Sequence, residues 1–318
     1  MIAAIIIADY EGRKGETRLC NQEMAPEHWA CVDVLGRPVI GRVVDRLKRE
    51  GIDTVLVFAD DRCSPDAKSG NDPSSINVWV AAGSKLDECR GSYDSVLIAD
   101  CGTYAEVDVA EMLAFHRDQG RSVTQAFAAD GPVDLWIIDP VRFRERDDIR
   151  GALTSGPAQY EQGGYVNRLR GPRDFRQLVS DSFNSRCRLR PCGVEVRPSV
   201  WMGENAEIGR GARIVAPAFI GQQAKIGDDC LITRGTDVEC NSQVDFGTAV
   251  ENSSVLPNTY LGIGLDLSHS IVDGKYLWNL RHDVTLEITD PVVMRPNAVN
   301  TESRKWSEFE NDAVGLSA

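Results

Sequence analysis

The chain has 318 residues, 42% hydrophobic and 26% charged, enough for two ordinary globular cores. Its formal charge of −13 excludes a sequence-independent nucleic-acid binder, which needs a basic face, and offers nothing to an anionic membrane surface. Nine scattered cysteines without a CxxC pair read as reduced thiols of a cytoplasmic protein, and no apolar run is long enough to span a bilayer.

Residues 2–8 are a continuous apolar, β-branched run, as in a central parallel strand covered on both faces. The run lacks a basic n-region and meets Asp9, so it is not a signal peptide. A polar stretch with Gly12, Gly15, Thr17 and Arg18 follows. Pro38 then opens an amphipathic helix whose stripe is Val39, Ile40, Val43, Val44 and Leu47, with Gly51 placed for a left-handed stop. Residues 54–59 give the next buried strand, completing a βαβ unit of an open α/β sheet.

Residues 76–80 read as a short strand, and 95–99 as another that ends at Asp100. A helix is expected over 107–118, with Val109, Met112 and Leu113 inward and Gly120 ending it. Strands follow at 122–128 and 133–138. Residues 141–163 are charged and show no clear period. A short helix over 174–183 has Phe175, Leu178, Val179 and Phe183 as its apolar face, and 186–193 reads as a linker.

Residues 196–261 repeat in sixes. The first positions are Val196, Met202, Ile208, Ile214, Ile220, Ile226, Ile232, Val238, Val244, Val250 and Leu256. Four residues after each stands a mostly small one, from Val200, Ala206 and Ala212 to Ser254 and Tyr260. No helical period fits this spacing. It fits a coil of short parallel strands in which each hexad forms one side of a triangular prism and the aliphatic residue points inward. Gly203, Gly209, Gly221 and Gly227 follow inward positions, where a turn wants permissive φ/ψ.

The order of these parts resembles the sugar-1-phosphate nucleotidyltransferase (NDP-sugar pyrophosphorylase) family, as a divergent member. The resemblance rests on MIAAIIIAD, VLGRPVIGRVVDRLKREGIDTVLVFAD, YDSVLIADCGTYAEVDVAEMLAFHRDQG and the repeat. It implies an α/β Rossmann-like nucleotidyltransferase domain (1–185), then an all-β left-handed parallel β-helix of hexapeptide repeats (194–290), then a polar tail (291–318) that docks, if at all, by Trp306 and Phe309. The stretch from Val255 to Lys275 looks like members found with exopolysaccharide synthesis.

In that family a Gly-rich loop after the first strand wraps the nucleoside triphosphate, and an Arg contacts its phosphates. The best matches here are Gly12, Gly15 and Arg18, in a longer loop that also carries acidic residues; the plain alternative is a polar surface loop. The family's phosphate-binding Lys segment corresponds to Ala25-Pro26-Glu27-His28-Trp29, which has no Lys, and His28 reads more simply as a solvated loop residue. The first metal-binding Asp corresponds to Asp100, implying Mg2+ there, with a turn cap as the alternative. The second corresponds to Arg168, and a cation cannot coordinate Mg2+.

The implied reaction is NTP plus sugar 1-phosphate giving NDP-sugar and pyrophosphate, with catalytic motifs that look eroded. Implied partners are a nucleotide or nucleotide sugar, further copies of the chain, or a true pyrophosphorylase. Two other readings stay open: a non-catalytic paralogue, and a hexapeptide-repeat acyltransferase using His269 or His282. The repeat contains no histidine, which excludes a three-His zinc site within it.

Overall fold

The computed structural model describes residues 1–8, 29–59, 78–143 and 148–297. Two compact units divide them: residues 1–8, 39–59, 78–143 and 148–168 form the first, residues 29–38 and 169–297 the second. The units cut the chain differently from the boundary at 185, since residues 29–38 and 169–185 group with the repeat. No helix among the described residues is long and apolar enough to cross a membrane.

The first unit runs β1 (Ile2–Ala8), α1 (Val39–Arg49), β2 (Thr54–Ala59), α2 (Val78–Cys89), β3 (Ser95–Asp100), β4 (Tyr104–Ala105), α3 (Val109–Gln119), β5 (Val123–Ala128), β6 (Gly131–Ile138), α4 (Ile149–Thr154), β7 (Ala158–Glu161) and β8 (Val166–Asn167). Six strands form one sheet in the order β2-β1-β3-β6-β5-β7. β6 runs antiparallel to both its neighbours; the other pairings are parallel. β1 lies between β2 and β3, and its run is buried, Ile5 and Ile7 packing in one core with Trp79, Ala82 and Leu86 of α2.

The strand expected at 76–80 is corrected. Residues 78–80 open α2, and 76 and 77 lie outside the described residues. Trp79, Ala82, Leu86 and Cys89 recur at helical spacing and pack into one core with Trp136 and Ile138. α3 starts at its Asp108 cap, whose carboxylate accepts the Glu111 N–H at 3.0 Å, and ends at Gly120 with φ +60°. The unassigned stretch 141–163 holds α4 and β7.

In the second unit α5 (Pro172–Phe183) precedes a coil of three walls. Parallel strands Val200–Met202, Ala218–Ile220, Thr236–Val238, Ser254–Val255 and Ser270–Asp273 build one wall. Glu207–Ile208, Lys225–Ile226, Gln243–Val244 and Thr259–Leu261 build the second. Arg213–Ile214, Leu231–Thr233, Ala249–Glu251 and Asp266–Ser268 build the third. Ile214, Ile220, Ile226, Ile232, Val238, Val244 and Val250 stack in one buried core, each contributing roughly 1.5–3 kcal/mol of burial.

Three details differ from the hexad reading. Two expected inward positions are exposed: Val196, in an antiparallel edge strand, at 48%, and Ile208 at 39%. The first coils repeat every 18 residues (Ala218 opposite Thr236), but later ones every 17 (Val238 opposite Val255). One residue is dropped after Val250 and another after Leu267, so the inward column continues through Val255, Leu261, Leu267 and Val272, not Leu256. The small column moves with it, to Ser253 and Thr259 instead of Ser254 and Tyr260. Both are fully buried.

Four glycines serve close approach, not positive φ. A Cβ on Gly203 would lie 2.4 Å from the Gln222 amide nitrogen, and one on Gly221 2.6 Å from that of Cys240. Residues 294–296, assigned to the tail by sequence, form a strand antiparallel to Thr259–Leu261. Trp306 and Phe309 lie outside the described residues.

Candidate functional site

The sheet order reverses between β1 and β3: β2 lies beyond β1, and β6 beyond β3. In open α/β sheets the crevice outside the carboxyl ends of such strands is where ligands bind. Asp100 is the last residue of β3, in register with Ile7 of β1, and is buried. Its Oδ1 accepts the Gly102 N–H at 3.2 Å, while the Cys101 N–H donates to the Ile7 carbonyl at 2.8 Å. These bonds hold the turn after β3 against the end of β1. β1 then leads into residues 9–28. The phosphate-loop candidates Gly12, Gly15 and Arg18, and His28, lie there, outside the described residues.

The structure adds a carboxylate that the sequence reading missed. β3 and β6 pair Ala99 with Leu135, so the next step of the antiparallel register sets Asp134 opposite Asp100. Asp134 Oδ2 accepts the Thr103 hydroxyl at 2.9 Å. The available signal was a lone acid inside the apolar run 133–138. Two carboxylates at one strand end suit Mg2+, which takes one or two such ligands and fills its remaining positions with water and substrate phosphate. Among the described residues no group of three or more His, Cys, Asp or Glu side chains is arranged to hold a metal.

Beyond Asp100 the chain forms a small rim. β4 pairs antiparallel with β8, Tyr104 facing Asn167, and both are buried. The Tyr104 hydroxyl donates to Glu106 Oε1 at 2.8 Å, and the Glu106 N–H to the Tyr165 carbonyl at 2.9 Å. Arg46 of α1 donates to the Ala105 carbonyl at 2.5 Å. Residue 168 directly follows β8, and its guanidinium is engaged away from Asp100. Arg168 pairs with Asp130 at 2.7 Å and donates to the Gly131 and Pro132 carbonyls. It clamps the β5–β6 turn that precedes Asp134.

The two coil histidines are not joined into a site. The His269 N–H donates to the Glu251 carbonyl at 3.1 Å, and the exposed His282 donates its N–H to Asn279 Oδ1 at 2.9 Å.

No protein-family model matches the chain, and no curated protein matches it. Among solved structures, the chain is similar to HddC from Yersinia pseudotuberculosis complexed with GMP-PN (12% identity, TM-score 0.39, covering 56% of this chain and 97% of that one). It is also similar to a glucose-1-phosphate thymidylyltransferase, described as putative, from Bacillus anthracis in complex with a sucrose (12% identity, TM-score 0.40, covering 56% and 93%). A second HddC structure aligns at 14% identity and a TM-score of 0.37, covering 56% and 97%. Nothing about ligand or activity follows from likeness at these scores.

Proposed function

We propose that the chain is a sugar-nucleotidyltransferase-like protein of nucleotide-sugar metabolism, of the kind that supplies exopolysaccharide synthesis. The reaction would join a nucleoside triphosphate to a sugar 1-phosphate, whose phosphate oxygen attacks the α-phosphorus in line as pyrophosphate leaves. The observation that carries this reading is Asp100, buried at the sheet's switch point with Asp134 opposite it. Asp100 and Asp134 would hold Mg2+, which supplies charge neutralisation to the phosphates when bound. Arg18 and the amides of Gly12 and Gly15 would bind phosphate oxygens and orient the α-phosphorus. Asp134 replaces the carboxylate that position 168 lacks, while the missing Lys near Pro26 leaves less positive charge on the phosphates and a slower reaction.

The test is pyrophosphate release across four nucleoside triphosphates and common sugar 1-phosphates. Release that requires Mg2+ and disappears in Asp100→Ala supports the reading. No release with any pair, together with thermal stabilisation by a nucleotide sugar or a pyrophosphorylase, replaces it with a non-catalytic paralogue. Acyl-CoA consumption sensitive to His269→Ala or His282→Ala replaces it with a coil acyltransferase.

A further inference from the structure

A second polar cluster lies in the coil unit, independent of the switch-point site. Asp237, in the strand Thr236–Val238, and Glu239, the residue after it, flank the inward Val238 and are both fully buried. α5 covers Asp237. Arg176 donates to Asp237 Oδ1 at 2.9 Å, to Asn252 Oδ1 at 3.1 Å and to the Gly235 carbonyl, and Ser254 donates its hydroxyl to the same Asp237 oxygen at 2.7 Å. The strap of residues 29–38 covers Glu239. Its Oε1 accepts the Leu35 N–H at 2.6 Å and its Oε2 the Gly36 N–H at 2.9 Å.

The strap is seated tightly at that point. Leu35 and Gly36 have φ of +53° and +91°, the Val34 N–H donates to the Arg37 carbonyl at 3.0 Å, and the Cys192 N–H donates to the Leu35 carbonyl at 2.9 Å. A Cβ on Gly36 would lie 2.9 Å from both Cys192 Cβ and Phe219 Cζ. Trp29 meets Phe175 of α5 at 5.0 Å between ring centroids.

Among the described residues the charges in this interface do not balance. Among the described residues the charged groups beside the pair are Arg176 from α5 and Asp33 from the strap, and Cys240 Sγ is 3.5 Å from Asp33 Oδ2. One guanidinium meets two buried acids, and Asp237 Oδ2 has no hydrogen-bond partner among the described residues. An uncompensated buried carboxylate is far costlier than a neutral acid. We infer that the Asp237–Glu239 pair keeps one proton at neutral pH, and that this proton holds the strap and α5 on the coil, so that alkaline pH loosens both. Burial pushes Asp237 up to about 6 against the pull of Arg176, and burial together with Asp33 and Asp237 pushes Glu239 well above the usual carboxylate range. A proton bound more tightly in the docked state stabilises docking below the docked pKa values and is lost as pH rises through them. The proton belongs to the pair and not to either residue alone.

Hydrogen exchange of the Leu35 and Gly36 amides in the full chain, divided by the intrinsic rate at each pH from 5.5 to 8.5, tests this. Protection should fall with rising pH, by up to about tenfold per unit for one proton. In Asp237→Asn, and independently in Glu239→Gln, protection starts lower but its pH slope disappears. A flat native profile, or the native slope retained in both variants, overturns the inference; a purely structural role would lower protection and leave the slope.

Discussion

Asp134, inside β6, lies one register step past the Ala99–Leu135 pair and so opposite Asp100 at the end of β3, and the Thr103 hydroxyl donates to Asp134 at 2.9 Å. A carboxylate so placed should act on the same phosphates as Asp100. Asp134→Asn is expected to lower Mg2+-dependent pyrophosphate release by about 100-fold or more, the scale for a group aimed at transition-state charge. Steady-state rates at saturating Mg2+ check it. An unchanged rate removes Asp134 from the site.

Arg168 holds the β5–β6 turn through Asp130 and two carbonyls, and its side chain is mostly buried whereas Asp130 is 63% exposed. Asp130→Ala should therefore cost no more than about 1 kcal/mol. Arg168→Ala leaves two carbonyls without their donor and should cost about 1–3 kcal/mol. Urea melts compare the two, and equal losses would contradict the clamp.

In the coil, the small column changes chemistry along its length. Alanines fill it at 206, 212, 218 and 224, and buried hydroxyls fill it at Thr236, Ser242, Thr248, Ser253, Thr259 and Ser270. The hydroxyls tie one coil to the next: Thr248 donates to the Gly262 carbonyl at 2.6 Å and accepts the Leu265 N–H at 3.0 Å. Thr248→Val strands both backbone groups and should cost about 1–3 kcal/mol. Thr248→Ser should keep most of that. A Val variant as stable as Ser would show the ladder to be incidental.

Arg176 and Asp237 form an ion pair with almost no solvent contact. Arg176→Met leaves a buried acid unpaired and should cost about 3–5 kcal/mol in chemical denaturation, whereas Arg176→Met with Asp237→Leu should recover most of the loss. Additive losses in the double variant would contradict a coupled pair.

The elements with a strong period were legible: β1, α1, β3, α3, β6 and the inward column from Ile214 to Val250 need no tertiary information. What failed has physical causes. The run at 78–80 was too short to separate strand from helix, and only the recurrence through Ala82, Leu86 and Cys89 decides it. The dropped residue after Val250 keeps an aliphatic at 256, so the sixes continue in the sequence after the pairing has shifted. The four coil glycines were legible as turns, but their need for close approach depends on a strand 18 residues away. Asp134 joins Asp100 only through a strand register, which no single stretch of sequence records. Glu239 was invisible as a strap anchor because its two donors lie at 35 and 36.

Titration calorimetry of a nucleoside triphosphate with and without Mg2+, on the native chain and on Asp100→Ala, reaches the switch-point site most directly. The expected result is binding that needs Mg2+ and weakens at least about tenfold in Asp100→Ala while the melting temperature holds. Equal affinity in both chains, or affinity indifferent to Mg2+, would place the nucleotide elsewhere or nowhere and contradict the account.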